Sequence, residues 1–183
     1  MGGGDAEHRA GQGREVGLWV LLSYRLPREP STPRIGVWRK LERLGVARLG
    51  DGLVALPADA RTREQLDWLA EEIGEASGTA TVWLATPGSA AQERAIAQAM
   101  QDARAAEYRA VVVQARSAAG GAVAARARAA RRLRGELRRI ARRDFFPPPE
   151  RDSSQAAVQA LTADLTAGAG ADRAAAEALE ERR

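Results

Sequence analysis

Arginine is the residue with chemistry to offer in this 183-residue chain, and it gathers in two places. Between Arg126 and Arg143 nine arginines stand against one acid, Glu136. Like charges three or four residues apart destabilise an isolated helix by about 0.2–0.5 kcal/mol per pair, so this run needs acidic neighbours or an anionic partner. Glu71, Glu72 and Glu75, or Glu177, Glu180 and Glu181 near the C-terminus, are the acids that can answer the first need. Duplex DNA answers the second, and Arg128, Arg131, Arg132, Arg138, Arg139 and Arg142 are the candidate contacts because all six fall off the apolar stripe of their segment. The other group is Arg25, Arg28, Arg34, Arg39 and Lys40. These can form a basic rim that holds phosphate or another small dianion through charge-assisted hydrogen bonds. The plainer reading of the rim is a solvated helix face balanced by Glu29 and Glu42.

Other chemistries are poorly supplied. The chain has no cysteine, which removes disulfides, thiolate zinc sites and catalytic thiols, and its one histidine, His8, lies in a Gly-rich start. No G-x-G-x-x-G follows a strand pattern, so neither a flavin nor a nicotinamide site is indicated and no cofactor or metal is expected. Residues 1–15 lack the apolar centre of a signal peptide, and no apolar run approaches the roughly 20 residues of a membrane span, so a cytoplasmic protein without a membrane partner is expected. The formal net charge of +4 permits a polyanionic partner without requiring one. There is one lysine and much alanine, which looks like GC-rich coding bias, so arginine usage alone is no sign of selected guanidinium chemistry.

The elements that must position these residues begin with Leu18–Leu22, a continuous apolar run suited to a central strand covered on both faces. Pro27–Pro33 then forbids helix until Thr32-Pro33, read as N-cap and first helical residue. Ile35, Trp38, Leu41 and Leu44 mark a stripe, Gly45 stops the helix, and Gly50-Asp51-Gly52 turns a hairpin between Val46–Leu49 and Leu53–Leu56. Thr62 to Gln65 reads as a capping box opening a second helix with Leu66, Leu69, Ala70 and Ile73 inward, and Thr79–Thr86 reads as a strand. The order βαββαβ folds as a four-stranded antiparallel sheet with two helices on one face, an α+β ferredoxin-like sandwich. Trp19, Trp38 and Trp83 are its expected structural aromatic residues.

From Pro87 the composition shifts to alanine, arginine and glutamate, the mark of long helices without a second core. Ser89 to Gln92 reads as a capping box for a helix carrying Ile96, Met100 and Ala103. Val111–Val113 is read as continued helix, Gly120-Gly121 as a break, and Val123–Arg143 as a second helix with Ala127, Ala130, Leu133, Leu137 and Ile140 inward, making a helical hairpin. Asp144 is expected to cap the helix end while Phe145 and Phe146 close the apolar seam before Pro147-Pro148-Pro149. Asp152 and Ser153 can cap a short helix bearing Val158, Leu161 and Leu165. The expected organisation is a disordered leader at 1–15, a domain at 16–86, a helical extension at 87–166 and a frayed tail at 167–183.

With these residues in view, LLSYRLP, the helix RIGVWRKLERLG, the strand DGLVALP and the later RRDFF make the chain resemble the N-terminal region of the ChrB chromate-resistance proteins over about Gly17 to Leu165. The resemblance implies a Cas2-like, ferredoxin-like fold and a part in chromate-responsive transcriptional control, with chromate or another oxyanion as effector. Full-length members carry a further chromate-resistance domain that is not in this sequence. A Cas2-like sheet invites a nuclease reading, but Ser23-Tyr24-Arg25 stands where metal-binding carboxylates would be wanted, and an arginine repels the cation. The expectation is therefore a non-enzymatic, homodimeric regulator that binds duplex DNA, the alternative being an assembly module without DNA binding.

Overall fold

The computed structural model describes residues 17–163; the expected leader, the tail and Leu165 lie outside the described residues. In chain order come β1 (Trp19–Arg25), α1 (Ser31–Leu44), β2 (Ala47–Gly50), β3 (Leu53–Pro57), α2 (Ala60–Glu75), β4 (Thr79–Ala85), α3 (Ala90–Ala119) and α4 (Val123–Ala141). A further helical stretch, α5, covers residues 150–163. The chain divides into two compact units after Met100, inside α3, whereas the sequence placed the boundary at Pro87.

The first unit holds one antiparallel sheet in the order β2-β3-β1-β4. β1 is central, and its pleat sends Val20 and Leu22 to the face where Leu56 and Val54 of β3 are their register partners; all four are buried. α2 packs on β1 and β4 and buries Leu66, Leu69 and Ile73. On the opposite face Trp19 is buried and Leu21 half-buried, with Ala55 and Ile96 of α3 nearby, but Ser23 and Arg25 are exposed. The first half of β1 is thus covered on both faces and its second half opens to solvent.

Several local expectations shift. α1 starts at Ser31 with Pro30 at the N-cap position and no side-chain cap, so Thr32 is not the cap; Pro33 is tolerated because first-turn N–H groups have no intrahelical partner. The expected stripe of α1 is also wrong in part: Val37 and Leu41 are buried, while Ile35 is 46% and Trp38 49% exposed. A strict spacing of three drifts about 60° per step around a helix of 3.6 residues per turn, so Ile35, Trp38, Leu41 and Leu44 spiral off one face. Trp83 is likewise not core: it sits on edge strand β4, opposite Leu21 on the face away from α2, and is 55% exposed. α2 is capped by Asp59, whose carboxylate accepts the Thr62 N–H at 2.6 Å while the Asp59 N–H donates to Thr62 Oγ1 at 2.9 Å. The capping box therefore lies three residues earlier than Thr62–Gln65.

The second unit has a core of its own, which the composition did not suggest. Tyr108, Val111 and Ala115 of α3, Ala130, Leu133 and Ile140 of α4, and Val158 and Leu161 of α5 form one buried cluster. Alanine at the contacts lets helices approach closely, so a core forms with few large side chains. Val111 lies inside α3, as continued helix requires, and residues 120–121 break it. α5 begins before Asp152 and Ser153, which fall within the helix and are not its caps. Phe145 and Phe146 are half-buried.

Candidate arginine surfaces

β1 ends on Tyr24-Arg25, and two glycines let other backbone segments close against that end. The Tyr24 N–H donates to the Gly52 carbonyl at 2.7 Å, and Gly52 takes a φ of 70°, where a Cβ would also strike the Tyr24 carbonyl. A Cβ on Gly78 would stand 2.6 Å from the Arg25 carbonyl. Together with the β1–α1 connection and one side of α1, these segments wall a groove of about 1440 Å³. Arg25, Arg28, Arg34 and Arg39 line it, against a single carboxylate, Asp51. Trp38 and the half-buried Tyr24 are also in the lining.

The five cations of the expected rim do not stay together. Lys40 leaves it to pair with Glu72 of α2. Nearby Arg48 pairs with Glu42 at 2.6 Å and lies 5.9 Å from the Trp38 ring centre. Among the described residues, none of the four groove arginines has an acidic partner. Of the two acids expected to balance that face, Glu42 pairs with Arg48, and Glu29 makes no ion pair with Arg25, Arg28, Arg34 or Arg39 among the described residues. Sequence reasoning missed Trp38 as a groove residue because it assigned the ring to the core; the drift of its stripe was the available signal.

The second surface is one helix. On α4 and at its C-cap, Arg128, Arg131, Arg132, Arg138, Arg139 and the cap residue Arg142 fall within about 120° of the helix circumference at 3.6 residues per turn, and all are exposed. The stripe is about 21 Å long at 1.5 Å per residue. Ala130, Leu133 and Ile140 are buried on the opposite side. Arg132 donates to Gln114 Oε1 at 2.7 Å; the other five make no ion pair among the described residues. Glu177, Glu180 and Glu181 lie outside the described residues.

The arginines that do find acids lie off that stripe. Arg143 pairs with Glu107, which also holds Arg104 at 2.8 Å, and Arg109 pairs with Glu150 at 2.6 Å. Beside them the Tyr108 hydroxyl donates to Asp144 Oδ2 at 2.9 Å. Burial, with the Asp144 hydrogen bond, pushes the Tyr108 phenol up to about 12. Asp144 thus serves as acceptor for a buried tyrosine, in place of the expected cap. Among the described residues no cluster of three or more acidic, histidine or cysteine side chains could hold a metal, and no helix is long and apolar enough to cross a membrane.

Residues 34–118 match the family model described as Protein ChrB, N-terminal. The chain is 32% identical over 143 residues to Protein ChrB of Cupriavidus metallidurans, a match covering 70% of this chain and 40% of that protein. It therefore spans less than half the length of that relative. No solved structure matches the chain.

Proposed function

We propose that this protein is a non-enzymatic regulator of chromate resistance that contacts duplex DNA through the arginine face of α4. The observation that carries the DNA contact is the segregation of α4: six exposed arginines on one side, the buried stripe on the other. Such a face meets phosphates without disturbing the core, and phosphate contacts position a protein without specifying sequence. The connection to chromate rests on the likeness to ChrB. In the same reading the first unit is a ferredoxin-like sandwich of the Cas2-like kind, which the element order and the order β2-β3-β1-β4 support.

The test is a salt-titrated binding assay with duplex DNA from upstream of the protein's own coding region. Neutralising roughly four to six phosphates gives a slope of log affinity against log salt near −4 to −5. A slope near zero contradicts the proposal.

One observation favours a second reading, an assembly module. β4 is a sheet edge, and it carries Trp83 and Leu84 half-exposed. Pairing of two copies along this edge would cover both. Sedimentation of the wild type against Trp83→Ser measures it: a dimer that dissociates in the variant supports this reading, and a monomeric wild type removes it.

A further inference from the structure

We infer that the groove at the end of β1 is a track for a short run of single-stranded nucleic acid, with Arg25, Arg28, Arg34 and Arg39 along its phosphates and Trp38 against a base. The inference is independent of the α4 proposal, since every residue it uses lies in the first unit.

Three observations converge on this occupant. The first is charge: four guanidiniums face one carboxylate, Asp51, and none has an acidic partner among the described residues, although Lys40 and Arg48 close by are both paired. Unneutralised cations converging on a concave surface raise the local concentration of anions. The second is size. Pockets for single small ligands run roughly 300–1,000 Å³ and enclose what they bind. A groove of about 1440 Å³ walled by exposed side chains is too large and too open for one tetrahedral oxyanion, which would touch only a corner of it. The third is the aromatic lining, with Trp38 49% exposed and Tyr24 half-buried among the cations. Grooves that alternate cations with aromatic rings bind single strands, because every base offers a π-face and the rings stack on it without regard to sequence. A duplex keeps its bases in the stack and leaves Trp38 nothing to cover. An unpaired strand uses both the charge and the ring.

The experiment uses the full chain and a fluorescent oligothymidylate of about twelve nucleotides, read by anisotropy, beside an abasic strand of equal length. To set the other arginine surface aside, the same titrations are run on Arg131→Gln/Arg138→Gln/Arg142→Gln protein. Oligothymidylate binding should persist in that background. Arg28→Gln/Arg34→Gln should weaken it by at least about tenfold, and Trp38→Leu by roughly 5- to 150-fold, the range of one stacked base. The abasic strand should bind more weakly than oligothymidylate to the wild type and about equally to Trp38→Leu. These side chains are exposed, so melting temperatures should hold. Ultraviolet crosslinking of oligothymidylate to the unaltered protein reads the site without any substitution, and the crosslinked peptide should contain Tyr24 or Trp38. Loss of all binding with the α4 substitutions, indifference to the groove substitutions, equal affinity for the abasic strand, or crosslinks confined to α4 each overturn the inference. Displacement of the strand by micromolar sulfate or chromate also overturns it, in favour of a small-oxyanion site.

Discussion

The two units differ in how they present their unpaired cations and what stands beside them. In the first, aliphatic residues fill the space between sheet and α2, while Trp38 and Trp83 stand outside and the unpaired arginines surround a concavity beside one of them. In the second, one tyrosine lies buried among alanine, valine and leucine, and the arginines form a ridge along one side of a helix. A ridge of cations suits a surface of phosphates. A hollow of cations and rings suits a strand whose bases are free. The same residue type thus acquires two uses from the backbone that presents it.

The contrast between the two cores can be broken most forcefully at Leu133 and Leu22, each fully buried in its own unit. Leu133→Ala and Leu22→Ala should each cost roughly 2–5 kcal/mol in denaturant unfolding. A cost below about 1 kcal/mol for Leu133→Ala would mean that the Ala-rich helices have no core of their own.

A smaller effect is expected at the buried ring. Tyr108→Phe removes the donor to Asp144 and should cost roughly 1–3 kcal/mol at neutral pH. It should also change the alkaline limb of the stability curve. The phenol's pKa is about 12 in the folded chain against 10.0 ordinarily, so between those values the unfolded chain binds fewer protons than the folded one. The stabilisation is complete below pH 10.0 and is lost as pH rises toward about 12; wild type and Tyr108→Phe should converge there. Parallel curves up to that pH would show that the hydrogen bond does not favour the neutral phenol.

The cap of α2 is next in size. Asp59→Ala should cost about 1 kcal/mol. The Thr62 N–H holds the Asp59 carboxyl below its ordinary 3.8, so this contribution is present above that pH and fades as pH falls through the lower folded value. Equal acid sensitivity in wild type and variant would contradict the cap. Trp38→Ala should have the smallest effect on stability, within roughly 0.5 kcal/mol, because half the ring already faces water. A loss of 3 kcal/mol or more would return Trp38 to the core and remove the aromatic wall of the groove.

Much of the first unit was legible because its signals are local. Gly45 takes the left-handed cap, Gly50-Asp51-Gly52 makes the hairpin, and the element order leads to the antiparallel sheet. What misled was rotation: an apolar series at spacing three looks amphipathic but walks around the helix, and it carried Trp38 from core to groove. Trp83 failed for a different reason, since strand content does not say which strand is an edge. The second core was hidden by its small residues; Ala115 and Ala130 contribute by permitting contact, which counting large side chains does not detect. On the arginine surfaces the sequence supplied the members, and only the fold separated Lys40 from the rim and segregated the α4 stripe.

Whether the α4 ridge is the duplex contact is decided by the salt dependence of DNA binding in Arg131→Gln/Arg138→Gln/Arg142→Gln protein. The three side chains are exposed, so the melting temperature should be nearly unchanged. The slope of log affinity against log salt should flatten by about 2 to 3 units relative to the wild type. An unchanged slope in a folded triple variant would show that the ridge is not the duplex contact.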